Sequence, residues 1–302
     1  MTFLILMPGR DTSALIANLR DLDPDLPIAV WPTVPHENDV IFAVTWNHPP
    51  GGLATYPNIR AASSYGAGID HFLKDTELPE DLSIGRVVTS QLVRDMSRYL
   101  LAVVLGRQKN LEAYRLQQQQ SEWKPLAEPH QEQICILGLG ELDKPAAQTF
   151  ARLGYRVHGW SRSPKTIEGV TCFHGPDPGE AVAGSHILIC LLPLNPSTRG
   201  ILNKALFEKT ASGCFVINVG RGGHLNQNDL VRALEKGQLA GACLDVCDPE
   251  PLPPDHIFWN HPKIAITPHI SAITDAKEVA QQLLESYRRV CSGKKPLHYV
   301  EL

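Results

Sequence analysis

The stretch ICILGLGELDKPAAQTFARLGYRVHGWSRSPK, residues 134–165, decides how the fold is read. An apolar run, Ile134–Leu137, enters a glycine turn, which is followed by a helical pattern from Pro145 to Leu153 and a second run, Arg156–Trp160. A strand apolar on both faces, then a tight turn and a helix, is the beginning of a βαβ unit in a parallel sheet. Such a turn aims backbone N–H groups and the positive helix end at a pyrophosphate. Gly138 allows the tight turn and Gly140 allows close approach of the ligand, but Asp143 stands where the fingerprint has its third glycine. An ordinary β–α turn can carry the same two glycines. Asp143 and Glu141 also put negative charge beside the anion site, at an exposed helix start, which predicts weakened rather than abolished cofactor binding.

The second run leads into Ser161, Arg162 and Ser163, with Lys165 close behind. An NAD site usually has an acid here for the ribose 2′-OH, whereas hydroxyls and cations suit a 2′-phosphate. The expected cofactor is therefore NADPH, with NADH as a weaker alternative; a solvated loop would have the same composition.

Working outward, further buried strands are expected at Ile187–Leu192, Phe215–Val219, Ala242–Val246 and Ile264–Thr267, with a helix at Asp229–Lys236 stopped by Gly237. This alternation predicts an α/β fold built on a doubly wound parallel sheet. The first 93 or so residues form a smaller α/β unit with strands Phe3–Leu6 and Ile41–Val44. A long helix is expected from about Asp95 to Arg115, followed by the Gln117–Gln120 run and a polar connector reaching Gln133. The last helix is expected from Thr274, with Asp275 in its first turn, Arg288 and Arg289 near its end and Gly293 beyond.

Composition narrows the function classes. The chain has 302 residues, 43% hydrophobic and 20% charged, with a formal charge of −4, so neither disorder nor a nucleic-acid surface is expected. No apolar run approaches the length of a membrane span, and MTFLILMPGR lacks the basic start of a signal peptide. Seven cysteines without a CxxC pair suggest reduced thiols in the cytoplasm, with Cys243 and Cys247 inert. The histidines show no HExxH or paired Cys/His spacing, so no metal site is expected.

Three strand exits carry chemistry-bearing side chains, where parallel sheets bind ligands. Arg221 follows Phe215–Val219 in a glycine-bracketed turn, Glu250 lies among prolines after Ala242–Val246, and His269 follows Ile264–Thr267. Alone, each is an ordinary loop polar residue. Together they form a coherent set. A guanidinium holds a 2-oxo acid's carboxylate, an imidazolium donates a proton to the carbonyl oxygen, and a carboxylate orients the imidazole and favours its cationic form.

The stretches SYGAGID (64–70), ICILGLG (134–140), LLPLNPSTRGILN (191–203), VINVGRGGHLNQNDLVRAL (216–234), GACLDVCDPEPLP (241–253) and ITPHISA (266–272) resemble the D-2-hydroxyacid dehydrogenase family. WSRSPK and the segment from Leu244 to Thr274 are most similar to its glyoxylate/hydroxypyruvate reductase A subgroup, which prefers NADPH. The resemblance implies a Rossmann-type domain, about 95–274, inserted into a flavodoxin-like substrate domain, 1–94 completed by 275–302. It implies that Arg221 orients the substrate, His269 is the acid/base and Glu250 is its partner. It further implies substrate contacts from Trp46, Tyr65, Gly66 and Ala67. The expected cofactor contacts are Gly138, Gly140, Glu141, Leu142, Ser161, Arg162, Ser163, Lys165, Leu192, Pro193, Thr198, Val219, Gly220, Asp245 and Ser271. A homodimer is expected by the same likeness. Two alternatives stay open: a cofactor-sensing protein with little turnover, and a dehydrogenase of a bulkier or phosphorylated acid.

Overall fold

The computed structural model of the chain describes residues 1–128 and 133–301. The chain divides into two compact units, Met1–Leu92 with Thr274–Leu302, and Val93–Ile273.

The first unit is built on β1 (Thr2–Leu6), β2 (Ile28–Val30), β3 (Val40–Thr45), β4 (Ala61–Ser64) and β5 (Ser83–Arg86), all parallel in the order β2-β1-β3-β4-β5. That is the flavodoxin-like order. Helices α1 (Ser13–Leu22) and α2 (Asp70–Leu73) belong to it, as does the C-terminal helix Ala276–Cys291. Asp275 does not sit in that helix's first turn as expected. It is the N-cap, its carboxylate accepting the N–H groups of Lys277 and Glu278 at 3.0 and 2.9 Å. The same helix packs Tyr287 against the Phe3 and Phe42 rings of the central strands.

The second unit holds a seven-stranded sheet of β6 (Gln133–Leu137), β7 (Arg156–Ser161), β8 (Val170–His174), β9 (Ile187–Cys190), β10 (Cys214–Asn218), β11 (Leu239–Leu244) and β12 (Ile264–Ile266). All neighbours are parallel, in the order β12-β11-β10-β9-β6-β7-β8. The winding reverses between β6 and β9, a topological switch point of the Rossmann type, and the glycine turn leaves β6 there. β6, β9 and β10 are buried along their whole length because helices cover both faces.

The helices of this region are α3 (Ser90–Gln108), α4 (Leu111–Gln119), α5 (Asp143–Arg152), α6 (Gly179–Val182), α7 (Lys204–Phe207) and α8 (Gln227–Glu235). The single long helix expected from Asp95 to Arg115 is in fact two. α3 starts earlier, at Ser90, and the break falls at Asn110, which adopts φ +53° and donates its side-chain N–H to the Ala127 carbonyl at 2.9 Å. Asparagine tolerates the left-handed region better than other side chains, and the periodic apolar pattern hides it. No residue of α4 is buried. Residues 129–132 of the expected connector lie outside the described residues.

Candidate active site

Three strand ends build the site on the second unit. After β10, Asn218 organises the turn: its Oδ1 accepts the Gly220 N–H at 3.2 Å and its Nδ2 donates to the Arg221 carbonyl at 3.0 Å. The Arg221 N–H donates to His224 Nδ1 at 3.0 Å, and the guanidinium Nη1 donates to the Gly220 carbonyl at 2.8 Å. Gly222 has a steric reason. A Cβ there would lie 2.0 Å from the Cys247 backbone, so only glycine lets the Arg221 turn press against the start of the Glu250 loop. Gly220 likewise packs against the Leu192 carbonyl, where a Cβ would come within 3.0 Å.

β11 stops at Leu244, so Asp245 stands just past the strand end, 1% exposed. One of its oxygens accepts from Thr267 Oγ1 at 2.6 Å and the Ile270 N–H at 2.8 Å, and the other accepts the Ser271 N–H at 2.9 Å. Its carbonyl takes the His269 N–H at 2.9 Å. These bonds wrap the 267–271 loop around one carboxylate and hold His269 at φ +55°, a region that β-branched and most other residues avoid. Tyr99 of α3 extends the set with a 2.6 Å hydroxyl contact to Thr267. Replacing Asp245 with alanine leaves the Thr267 hydroxyl and the Ile270 and Ser271 N–H groups without this acceptor, the last of them on a buried residue. The unfolding free energy measured in urea is expected to fall by about 2–4 kcal/mol.

The loop after β11 then brings Glu250 to the imidazole. His269 Nδ1 and Glu250 Oε2 are 2.9 Å apart, with the two side chains 38% and 40% exposed. The other carboxylate oxygen accepts the Cys247 N–H at 3.0 Å. Partial burial pushes the Glu250 carboxyl up, but the His269 and Cys247 hydrogen bonds and the charges of His269 and Arg221 outweigh it and hold the group below the usual carboxylate range. Glu250 thus bonds His269 and lies within electrostatic reach of Arg221, all three on strand exits of one sheet.

At the switch point, Gly138 has φ +116°, and its N–H donates to the Trp160 carbonyl at 2.9 Å, tying the turn to the end of β7. A Cβ at Gly138 would lie 3.2 Å from the Leu191 backbone. α5 begins at Asp143 rather than Pro145, and Asp143 is not exposed as expected but only 7% accessible. At the end of β7, Ser161 is buried with its hydroxyl donating to the Ser163 carbonyl at 2.8 Å, while Arg162, Ser163 and Lys165 beyond it are exposed. Thr198 is buried, its Oγ1 donating to the Pro193 carbonyl at 2.7 Å and accepting the Asn195 N–H at 3.0 Å. Its hydroxyl shapes the loop after β9. Leu192 and Val219 are buried, while Glu141 and Pro193 are exposed and Leu142 half-buried. A glycine cradle with exposed hydroxyl and cationic groups at the next strand exit fits a dinucleotide bearing a 2′-phosphate.

The first unit keeps its own cluster. A Cβ at Gly66 would lie 3.0 Å from the Trp46 ring, so that glycine lets the indole lie on the Tyr65–Ala67 loop. Ser64 pins the loop, donating to the Gly68 carbonyl at 2.6 Å, and burial keeps the proton on Tyr65. Arg10, which the motif reading passes over, stacks on both aromatic rings, 4.8 Å from the Tyr65 centroid and 5.5 Å from that of Trp46. A lone arginine after a strand carries no motif; only the fold brings it to these rings.

Comparison with known proteins gives this geometry a family. Residues 101–271, more than half of the chain, match the NAD-binding domain of the D-isomer specific 2-hydroxyacid dehydrogenases. The glyoxylate/hydroxypyruvate reductase A of Serratia proteamaculans is 37% identical, covering 100% of this chain and 99% of its own. That of Photorhabdus laumondii is 35% identical over the same shares. Among solved structures, a D-isomer specific 2-hydroxyacid dehydrogenase from Xanthobacter autotrophicus, in complex with NADPH and MES, superposes with a TM-score of 0.93 at 30% identity, covering 99% of this chain and 98% of its own. The NADPH-dependent glyoxylate/hydroxypyruvate reductase of Sinorhizobium meliloti, in complex with NADP and sulfate, gives 0.89 at 30% identity over the same shares. This chain belongs to the D-isomer-specific 2-hydroxyacid dehydrogenase family.

Proposed function

We propose that the protein is an NADPH-dependent reductase of small 2-oxo acids of the glyoxylate and hydroxypyruvate type, yielding D-2-hydroxy acids. The observation that carries this reading is the Glu250–His269 hydrogen bond of 2.9 Å, beside Arg221, on the unit whose sheet reverses at a glycine turn. Support for NADPH comes from Arg162, Ser163 and Lys165 past β7, and from relatives that bind it. Support for the substrate class comes from the names of the full-length relatives.

When bound, NADPH supplies the hydride that reduces the carbonyl carbon. The guanidinium of Arg221 binds the acid's carboxylate and polarises its carbonyl through forked donors. Because Glu250 occupies Nδ1 of His269, Nε2 is the nitrogen that delivers the proton to the carbonyl oxygen. Asp245 keeps that ring in place through the loop it organises. The Tyr65–Ala67 loop and Trp46 are proposed as substrate contacts on family likeness alone, and within their own unit Arg10 stacks on Tyr65 and Trp46. The scattered cysteine pattern of the sequence, without a CxxC pair, is the basis for a cytoplasmic setting, and family likeness is the basis for a homodimer.

The pH dependence follows from the pair. Glu250 is held below the usual carboxylate range, so its contribution to stability is complete above that range and is lost as the pH falls from it through the depressed value. Glu250→Gln replaces the charged acceptor of the His269 Nδ1 hydrogen bond with a neutral one. The ring is then held less firmly, and a lower kcat for reduction is expected, as initial rates beside the wild type would show.

Mixing the protein with NADPH and glyoxylate or hydroxypyruvate tests the function directly. Substrate-dependent loss of the near-ultraviolet NADPH absorbance is expected; no loss across several 2-oxo acids overturns the reading. A second reading, a cofactor-binding protein with little turnover, draws on Asp143 in the glycine turn. Tight NADPH binding without any such loss would favour it.

A further inference from the structure

The glycine turn after β6 is already in contact with an anion of its own. Asp143 is the first residue of α5, and the N-cap before it, Leu142, offers no side-chain hydrogen bond. Its carboxylate folds back over the turn, where Oδ2 accepts the Gly140 N–H at 2.9 Å. The same oxygen would lie 2.7 Å from a Cβ on Gly138 and 3.3 Å from one on Gly140. One carboxylate oxygen thus fills the space that both glycines leave open by lacking side chains. The residue is only 7% accessible, so its charge is poorly screened by water.

In the fingerprint, that space and that N–H serve the cofactor's pyrophosphate, and the third position is a glycine, which has no side chain to reach them. We infer that Asp143 is an affinity-setting residue of the cofactor site: a tethered anion that stands on the pyrophosphate's donor and must be displaced before a dinucleotide seats. The inference rests on the reading of this turn as the pyrophosphate seat. Two effects combine. The carboxylate occupies the Gly140 donor, and its charge repels a diphosphate brought close to it. The hydroxyl and cationic groups past β7 are untouched, so the penalty falls on the pyrophosphate and not on the 2′-phosphate end. Helix α5 gains from the same contact in the empty protein, since a carboxylate at a helix start is favourable.

Calorimetric titration of the full chain with two probes tests this. NADPH carries both the pyrophosphate and the 2′-phosphate, whereas adenosine 2′-monophosphate carries only the latter. Asp143→Gly is expected to bind NADPH about tenfold more tightly than the wild type or better, with adenosine 2′-monophosphate unchanged. Asp143→Asn keeps the side chain's shape without its charge and is expected to fall between the two. Thermal melting of each variant shows whether it is folded, and the asparagine variant serves if glycine loosens α5. NADPH binding by wild type that is equalled or weakened in both variants overturns the inference while leaving the cofactor reading standing. Equal gains for both probes also overturn it, because the effect would then not be confined to the pyrophosphate. Failure of wild type and both variants to bind NADPH overturns the cofactor reading together with the inference.

Discussion

Replacing His269 with glutamine is expected to lower kcat for 2-oxo acid reduction by about 10²–10⁴-fold, the usual contribution of a positioned general acid. Glutamine retains a polar side chain that can reach Glu250, but it has no proton to give at neutral pH. The loop itself should persist, because its hydrogen bonds run through Asp245 and the backbone rather than through the imidazole. The NADPH dissociation constant should therefore stay near the wild-type value while turnover collapses. Steady-state rates and calorimetric titration on the same preparation check both halves. A variant with wild-type kcat would show that the proton comes from another group.

Arg221→Gln is expected to act on substrate rather than on cofactor. Losing a charge-assisted, forked contact to a carboxylate lowers kcat/KM by about 10²–10³-fold, equivalent to roughly 3–4 kcal/mol. The turn that holds Arg221 is built on Asn218, His224 and the close approach of Gly222, and the guanidinium also bonds the Gly220 carbonyl. Folding and NADPH affinity should change little. The same loss in a variant that melts far below the wild type would instead assign Arg221 a structural role.

The sequence made much of the second unit legible, for physical reasons. Strands β6, β9 and β10 are buried on both faces and so read as unbroken apolar runs, and polar residues at their exits stand out against them. The elements it concealed are those that depend on their neighbours. Ala61–Ser64 is fully buried as AASS, with no large apolar side chain to mark it, because it lies between β3 and β5. Ile28–Val30 is only three residues long, and Val170–His174 is a partly exposed edge strand. Within the site, the motif residues Arg221, Glu250 and His269 could be named in advance. Two features could not. Nothing in the sequence around Asp245 marks that both of its oxygens hold the His269 loop. Asp143 reads as an exposed helix-start acid, whereas its carboxylate turns back onto Gly140.

Crystallising the protein with NADPH and oxalate, a stable mimic of a 2-oxo acid, tests the central claim most directly. One oxalate carboxylate is expected on the Arg221 guanidinium, with an oxygen of the other within hydrogen-bond reach of His269 Nε2 and the Glu250 contact intact. Oxalate bound away from these side chains, or Arg221 and His269 directed to different faces of the ligand-bound protein, would contradict it.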